Sequence, residues 1–448
     1  MEKKDVIADW NPVKRFCIPL ISKIPALLWP VTKAKALITL GEYDRAKCLL
    51  ACYSGNKRAR SFLSYLKKNE EEEEKERTSK EKNRRRFFYT YFFHNDEDIV
   101  SNLNAGISEA EVVCDNKFIE RLIKAYIVSA DEFFRFCGME VEGTTDWEKK
   151  FFGEAKADIH KIVYEEHNIQ KVKELLSDPH NSDLWLGFHA PSQRCRVTQE
   201  GAYAIGRWDF DILYRFTEAV GVQRCWNPEN CIPEIAPDPD TLVRELEGHF
   251  GVELEFPTPY PHMSGVRTYR GLAGHRGIWG LYVAALLGRF GARRVLEIGA
   301  GLGWIAYHAA KFGVEEYYIV DIPLTALASS HFLGLVCGED SVHLYGEDSQ
   351  KTESSHGTQY TIVPPNAFPK DQRFDVVVNV DSMTEMPKET AEAYISVIKQ
   401  VTNRFISINH EANPFTVAEL LAKDPDVKHY IRNAFWLRRG YVEEIFEF

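Results

Sequence analysis

The chain has 448 residues, enough for two or three domains, and 44% of them are hydrophobic, so most of it is expected to bury an ordinary core. Its formal net charge of −11 repels nucleic-acid phosphates and argues against nucleic acid as a partner. The 9 cysteines are odd in number and form no C-x-x-C pair, which speaks against a disulfide framework or a zinc ribbon and for reduced thiols in the cytoplasm.

The opening, MEKKDVIADW, has no apolar run behind a basic start, so no signal peptide is expected. The most apolar early run, FCIPLISKIPALLWPV, is broken by Pro19, Pro25 and Pro30 and charged by Lys23. It is too short for a transmembrane segment and reads as packed helices. A weak peripheral membrane contact through the flanking Lys14, Arg15 and Lys33 is the alternative. KAKALITLGEY and DRAKCLLACY repeat apolar residues at helical spacing on either side of Gly41. We read residues 1–67 as a small helical domain suited to a protein partner. The run KNEEEEEKERTSKEKNRRR lacks an apolar face, so residues 68–88 read as a charged, solvated linker helix.

Residues 89–264 read as a mostly helical domain. FIERLIKAYIVSADEFFRFCG and DIHKIVYEEHNIQKVKELLSD are amphipathic, and Asp238 or Asp240 is expected to start a helix after a Pro-rich loop. FPTPYPHMSGVRTYRG, from Phe256 to Gly271, reads as a long irregular stretch of the kind that forms lids or substrate-binding elements.

Over 265–448 the pattern alternates. Helix HRGIWGLYVAALLGRF precedes strand RRVLEIGAG, helix WIAYHAAKFG, strand EEYYIVDIP and helix TALASSHFLGLV. SVHLYGED then reads as the third strand, FDVVVNVDSM as the fourth and RFISINHEA as the fifth, with FWLRRGYVEEIFEF as a closing hairpin about Gly440. Strands alternating with helices predict an α/β domain, a doubly wound and mostly parallel sheet, preceded by an α-helical N-terminal region.

The strongest local signal is VLEIGAGLGW. A buried strand ends at Glu297, Gly299, Gly301 and Gly303 and a helix follows, so the backbone can turn sharply and approach a ligand. A dinucleotide fingerprint would place its third glycine where Ile305 stands. Glu297 suits a cationic amino-acid ligand better than a pyrophosphate. Asp321, closing the next strand, can accept both hydroxyls of a ribose. This pattern resembles motif I and the acidic ribose-binding position of class I, Rossmann-like S-adenosylmethionine-dependent methyltransferases. The resemblance implies that Gly299, Gly301 and Gly303 line the methionine part of the cofactor. It also implies that Asp321 holds the ribose, Ile322 packs on the adenine, Asp348 faces the adenine amino group, and Asn379 lies near the methionine moiety.

In an open parallel sheet the reactive crevice lies beyond the carboxyl ends of the strands. Asp381, Ser382 and Glu385 in NVDSMTEMP and Asn409, His410 and Glu411 in SINHEANP occupy those ends. Methyl transfer to a hydroxyl needs an aligned acceptor and a proton sink, so His410, Asp381 and Glu385 are the catalytic candidates. Asp381, Asn409 and Glu411 could instead hold a divalent metal such as magnesium. His275, Arg276 and Glu411 are candidate substrate contacts, and His308 reads as packing.

HRGIWGLYVAALLGRF, LEIGAGLGWIAYH, IVDIPLTALASSHFL, VVVNVDSMTEMP and SINHEAN together resemble the sugar O-methyltransferase family. That resemblance covers the last domain. It implies methyl transfer to a hydroxyl of a sugar, sugar nucleotide or surface polysaccharide. A methyltransferase for a small metabolite or protein side chain, and a non-catalytic cofactor- or partner-binding module, are the competing readings. NVDS standing where amine methylases carry an N-P-P-Y type tetrapeptide weighs against an amine acceptor.

Overall fold

The computed structural model describes residues 104–137, 156–179, 184–185, 199–225, 237–347 and 357–448, with single positions at 34, 46, 50 and 64. By internal contacts the chain divides into Met1–Tyr89 and Thr90–Phe448. In the first unit, Ala34, Ala46 and Leu50 are buried helical residues and Ser64 is an exposed one. The remainder of the helices expected over 33–65, the apolar run before them and the charged linker lie outside the described residues.

The second unit opens with strand β1 (Ala105–Ile107) and helix α1 (Asn116–Cys137). Phe118, Ile119, Leu122, Ile123, Tyr126, Ala130 and Phe133 recur at helical spacing on α1, and all are buried. A short turn, Ala157–His160, runs into a π-helix, Lys161–Glu165, before α2 (Ile169–Ser177) and α3 (Gln199–Ala219). Helix α4 (Pro239–Phe250) starts where the sequence places it: Asp238 accepts from the Thr241 N–H at 3.0 Å, Pro239 fills the first turn, and Gly251 closes the helix at φ 69°.

The stretch expected to be irregular contains a hairpin, β2 (Ser264–Thr268) and β3 (Gly271–Ala273). With β1 it forms a three-stranded antiparallel sheet in the register Ala105↔Val266. Strands this short carry no readable alternation, and β1 finds its partner far along the chain. Helix α3 packs on this sheet so closely that a Cβ at Gly206 would come within 2.5 Å of the Ala105 Cβ.

The α/β part begins with α5 (His275–Arg289), β4 (Arg294–Ile298), α6 (Trp304–Ala309), β5 (Glu316–Val320), α7 (Pro323–Cys337) and β6 (Val342–Leu344). It continues with β7 (Gln359–Val363), β8 (Val376–Val380), α8 (Lys388–Val401), β9 (Arg404–His410), α9 (Val417–Leu421), β10 (His429–Ala434) and β11 (Tyr441–Glu447). The eight-stranded sheet has the order β10-β11-β9-β8-β4-β5-β7-β6, and β11 alone runs against the others. Successive strand residues face opposite sides. Val295, Tyr317, Ile319 and Val378 join one core cluster with α5, α6 and α7, while Leu296, Ile298, Val320 and Val377 join another with α8 and α9. The sheet is therefore doubly wound and mostly parallel, the Rossmann-like arrangement that the alternation of strands and helices predicts.

Two expectations need correction. The third place beside β5 belongs to β7, which the sequence reading passed over, and SVHLYGED forms the edge strand β6. QYTIV alternates polar and apolar residues over five positions, too short a run to stand out. The closing hairpin pairs His429–Ala434 with Tyr441–Glu447, whereas FWLRRG is the connection, its Phe435 and Leu437 turned into the core. Among the described residues no helix is long and apolar enough to cross a membrane.

Candidate active site

Strand order reverses at β4, whose neighbours β5 and β8 lead the chain in opposite directions, so a crevice opens beyond its carboxyl end. The glycine loop fills that position. Gly299, Gly301 and Gly303 have φ of 74°, 58° and 92°, the left-handed region where a side chain is strained. Gly299 donates to the Val320 carbonyl at 2.9 Å, pinning the loop to β5. Asp321 turns back onto it: its Oδ2 accepts from the Gly301 N–H at 3.3 Å and its Oδ1 from the Ile322 N–H at 2.8 Å. Burial pushes the Asp321 carboxyl up to about 7, against the pull of those N–H groups and of the buried Lys156 ammonium. Glu297 is buried beneath the loop and accepts from the Tyr317 hydroxyl at 2.8 Å; burial pushes it up to about 8.

Beside Asp321 lies a slot between α1 and α7. Tyr126 and Ser129 line one wall, Pro323 and Leu327 the other, and Tyr345 and Val363 its floor. Helix α1 is locked over this slot. Arg121 binds Glu347 at 2.7 Å and the carbonyls of Glu339 and Val342, while Glu132 accepts from Tyr345 and Asn366. The close approach requires Gly334 on α7, where a Cβ would lie 2.3 Å from the Phe118 ring. The long-range pairing of α1 with α7 has no sequence signal, since amphipathicity shows that a helix packs but not upon what.

The second half of the crevice lies at the ends of β8 and β9. Asp381 sits at φ 57°, an uncommon conformation for a residue with a side chain. Its Oδ1 accepts from the Tyr441 hydroxyl at 2.7 Å, and its Oδ2 lies 3.3 Å from Arg276 and 3.7 Å from Arg438. Glu385 stands 3.9 Å from Nε2 of His410, whose ring lies 5.5 Å from that of Tyr441. Glu385, and then Asp381, raise the His410 pKa above its ordinary value against the opposing effect of burial. Asp381, Glu385 and His410 each offer one ligating atom, all within 4.8 Å of one another.

The structure thus brings together Asp381, Glu385, His410 and Arg276. His275 adjoins them: its backbone N–H donates to Asp209 at 2.8 Å and its ring lies 4.3 Å from that of Trp208. Other candidates are placed elsewhere. Asn379 is fully buried and donates to the Ile298 carbonyl at 2.9 Å and to Ser382 Oγ at 2.6 Å, so its amide latches β4 to the turn after β8. Asn409 is also buried, donating to Asn379 Oδ1 at 2.8 Å and accepting from the Ser382 N–H at 3.2 Å. Glu411 turns away to Arg432 at 2.8 Å. The metal set Asp381, Asn409 and Glu411 is therefore not assembled: Asn409 is tied up inside the sheet by Asn379 and Ser382, and Glu411, just past the end of β9, pairs with Arg432. Asp348 lies outside the described residues, and the strand it follows is the sheet edge. His308 is buried against Trp304, and burial pushes its pKa down to about 3. Arg438, Tyr441, Trp208 and Trp279 were missed by sequence reasoning; they lie on two helices and the closing hairpin, which meet only in the folded chain.

No protein-family model and no curated protein matches this chain. Among solved structures it is similar to an O-methyltransferase from Bacillus cereus in complex with SAH, at 13% identity over 49% of this chain and 94% of that one, with a TM-score of 0.29. It is similar also to magnesium protoporphyrin IX methyltransferase (ChlM) from Synechocystis PCC 6803 with bound SAM, at 14% identity over 54% of this chain and 97% of that one, with a TM-score of 0.28. A third is the O-methyltransferase TomG from Streptomyces achromogenes in complex with SAM, at 13% identity over 38% and 79%, with a TM-score of 0.27. The fold class rests on the strand order of this chain itself.

Proposed function

We propose that this chain is an S-adenosylmethionine-dependent O-methyltransferase acting on a sugar or glycan hydroxyl. The observation that carries the reading is the junction at β4: a three-glycine loop closed by Asp321 on one side, and an Asp381–Glu385–His410 cluster on the other. The cofactor supplies an electrophilic methyl group on a sulfonium. The glycine loop lets its methionine part approach the backbone and Asp321 accepts the ribose hydroxyls, while the narrow α1–α7 slot must widen to take the adenosine end. In this reading α1 is a wall of the cofactor site, so the helical region over 89–264 serves cofactor binding as well as access for the acceptor.

With an acceptor aligned on that methyl group, the His410–Glu385 pair would take up the hydroxyl proton released as the methyl group is transferred. Asp381 holds Tyr441, Arg276 and Arg438 in place. The same three residues fit a divalent ion poorly as arranged. Tyr441 occupies Oδ1 of Asp381 and two guanidinium groups face Oδ2, so cations already stand where a metal would bind. General-base catalysis is the better supported route, and turnover is expected to survive EDTA.

Isothermal titration of the full chain with S-adenosylmethionine and S-adenosylhomocysteine tests the cofactor assignment; binding of neither refutes it. With binding established, methyl transfer to a panel of sugars and glycans tests the acceptor class. Activity on small phenols or peptides alone would move the reading to a metabolite or protein methyltransferase.

A further inference from the structure

The slot between α1 and α7 holds about 20 Å³ of free space, little more than one water molecule fills. An adenine ring cannot enter it unless a wall moves. The two walls differ in how they are held. Helix α7 lies between α1 and the sheet, with eleven of its fifteen residues buried. Helix α1 is an outer helix: Phe118, Leu122, Tyr126 and Ser129 face inward, while Lys117, Glu120, Lys124 and Val128 are exposed. Its first turns are fixed firmly. Phe118 seats on Gly334, and Arg121 binds Glu347 through two nitrogens as well as the carbonyls of Glu339 and Val342. Beyond the slot its ties to the sheet side include Glu132, which accepts from Tyr345 and Asn366. Those groups are half-buried, so water can replace a lost partner.

We propose that α1 is the gate of the cofactor site, tilting outward about its first turns to admit the adenosine end and closing on it afterwards. The inference rests on the methyltransferase reading and adds the route by which the cofactor enters. Phe118 on Gly334 and the Arg121 clamp form the pivot. Leu122, Ala125, Tyr126 and Ser129, which line the slot, lie progressively farther from that pivot, so a tilt widens the slot without sliding α1 along α7. Tyr126 and Asp131 are bonded to His160 and Tyr164, so the turn and π-helix over 157–165 travel with α1 as one body. Opening costs the Glu132 ties and part of the apolar contact at the slot, and the stacked adenine restores apolar contact on closure.

Val128 and Gly346 supply the test. An ideal Cβ on Gly346 would lie 3.4 Å from the Val128 Cβ, close to the spacing a disulfide takes. Val128→Cys combined with Gly346→Cys in the full chain therefore pins α1 shut when oxidised and frees it when reduced. S-adenosylhomocysteine is titrated into both forms by calorimetry, with mass spectrometry confirming the crosslink. The oxidised form is expected to bind at least about tenfold more weakly than the reduced form of the same variant, because the crosslink depopulates the open state. Gly346 stands at φ 83°, and any strain from replacing it is common to both forms. Glu132→Ala, which releases Tyr345 and Asn366, is expected to speed association about threefold or more in stopped-flow mixing. Equal affinity of the oxidised and reduced forms overturns the proposal. Should the cysteine variant fail to fold or to crosslink, an association rate unchanged by Glu132→Ala overturns it. Absence of S-adenosylhomocysteine binding to the unaltered chain overturns the transferase reading instead, and the gate with it.

Discussion

Gly299→Ala probes the tightest point of the site. The residue has φ of 74°, and an ideal Cβ there would lie 2.2 Å from Ser382 Oγ and 2.7 Å from Ser382 Cβ. Ser382 cannot swing aside freely, because its hydroxyl accepts from Asn379 Nδ2 at 2.6 Å and donates to the Ile298 carbonyl at 3.2 Å. Left-handed backbone costs an alanine about 1–2 kcal/mol. Forcing a methyl group into a packed site adds about 1–3 kcal/mol. The expected loss is about 2–5 kcal/mol, a large part of the roughly 5–15 kcal/mol that holds a domain together. Gly313→Ala is the matched control: φ is 88°, but no atom lies within 4 Å of the added Cβ, so only the backbone cost applies. Urea unfolding of the cofactor-free protein reads both as midpoint shifts at constant slope. Ser382→Gly removes both clashing atoms, so a double-mutant cycle should show Gly299→Ala to be milder in that background by about 1–2 kcal/mol. The reasoning fails if Gly299→Ala is no worse than Gly313→Ala, or if the cycle shows no coupling.

Asp321 sets a pH dependence of known sign. Its folded pKa of about 7 lies above the ordinary 3.8, so the folded form holds the extra proton. Together with Glu297, raised to about 8, it should make the stability of the free protein fall as pH rises up to about 8, while cofactor affinity should rise up to about pH 7, by no more than about tenfold per unit. Titration calorimetry across pH reads this, and Asp321→Asn should weaken binding and flatten the curve. Glu385→Gln removes the main group raising the His410 pKa, so the acidic limb of the turnover profile should move to lower pH; a limb that stays put excludes His410 as its source. His410→Ala should lower turnover by about 10²–10⁴-fold, the range for a lost general base. Asn379→Ala strips partners from Ile298, Met383 and Asn409 and should cost about 2–4 kcal/mol in thermal or chemical unfolding. A loss of cofactor affinity at unchanged stability would return Asn379 to the binding role its position suggested.

The local chemistry was legible in the sequence. Three glycines after a buried strand, with an acid closing the next strand, specify a sharp left-handed loop and a carboxylate beside it, because both depend on backbone conformation and short spacing. The start of α4 was narrowed to Asp238 or Asp240 in the same way, and the structure places the cap at Asp238. Face and partner were not legible. His410 and Glu411 are adjacent in sequence, yet one joins the candidate site and the other an ion pair with Arg432, since β9 ends between them and the folded chain decides what each meets. Tertiary structure alone inserted β7 beside β5, closed α1 over the slot, and carried Arg438 and Tyr441 from the final hairpin to Asp381. Those contacts join segments separated by long stretches of chain, and only the order of strands in the sheet brings them together.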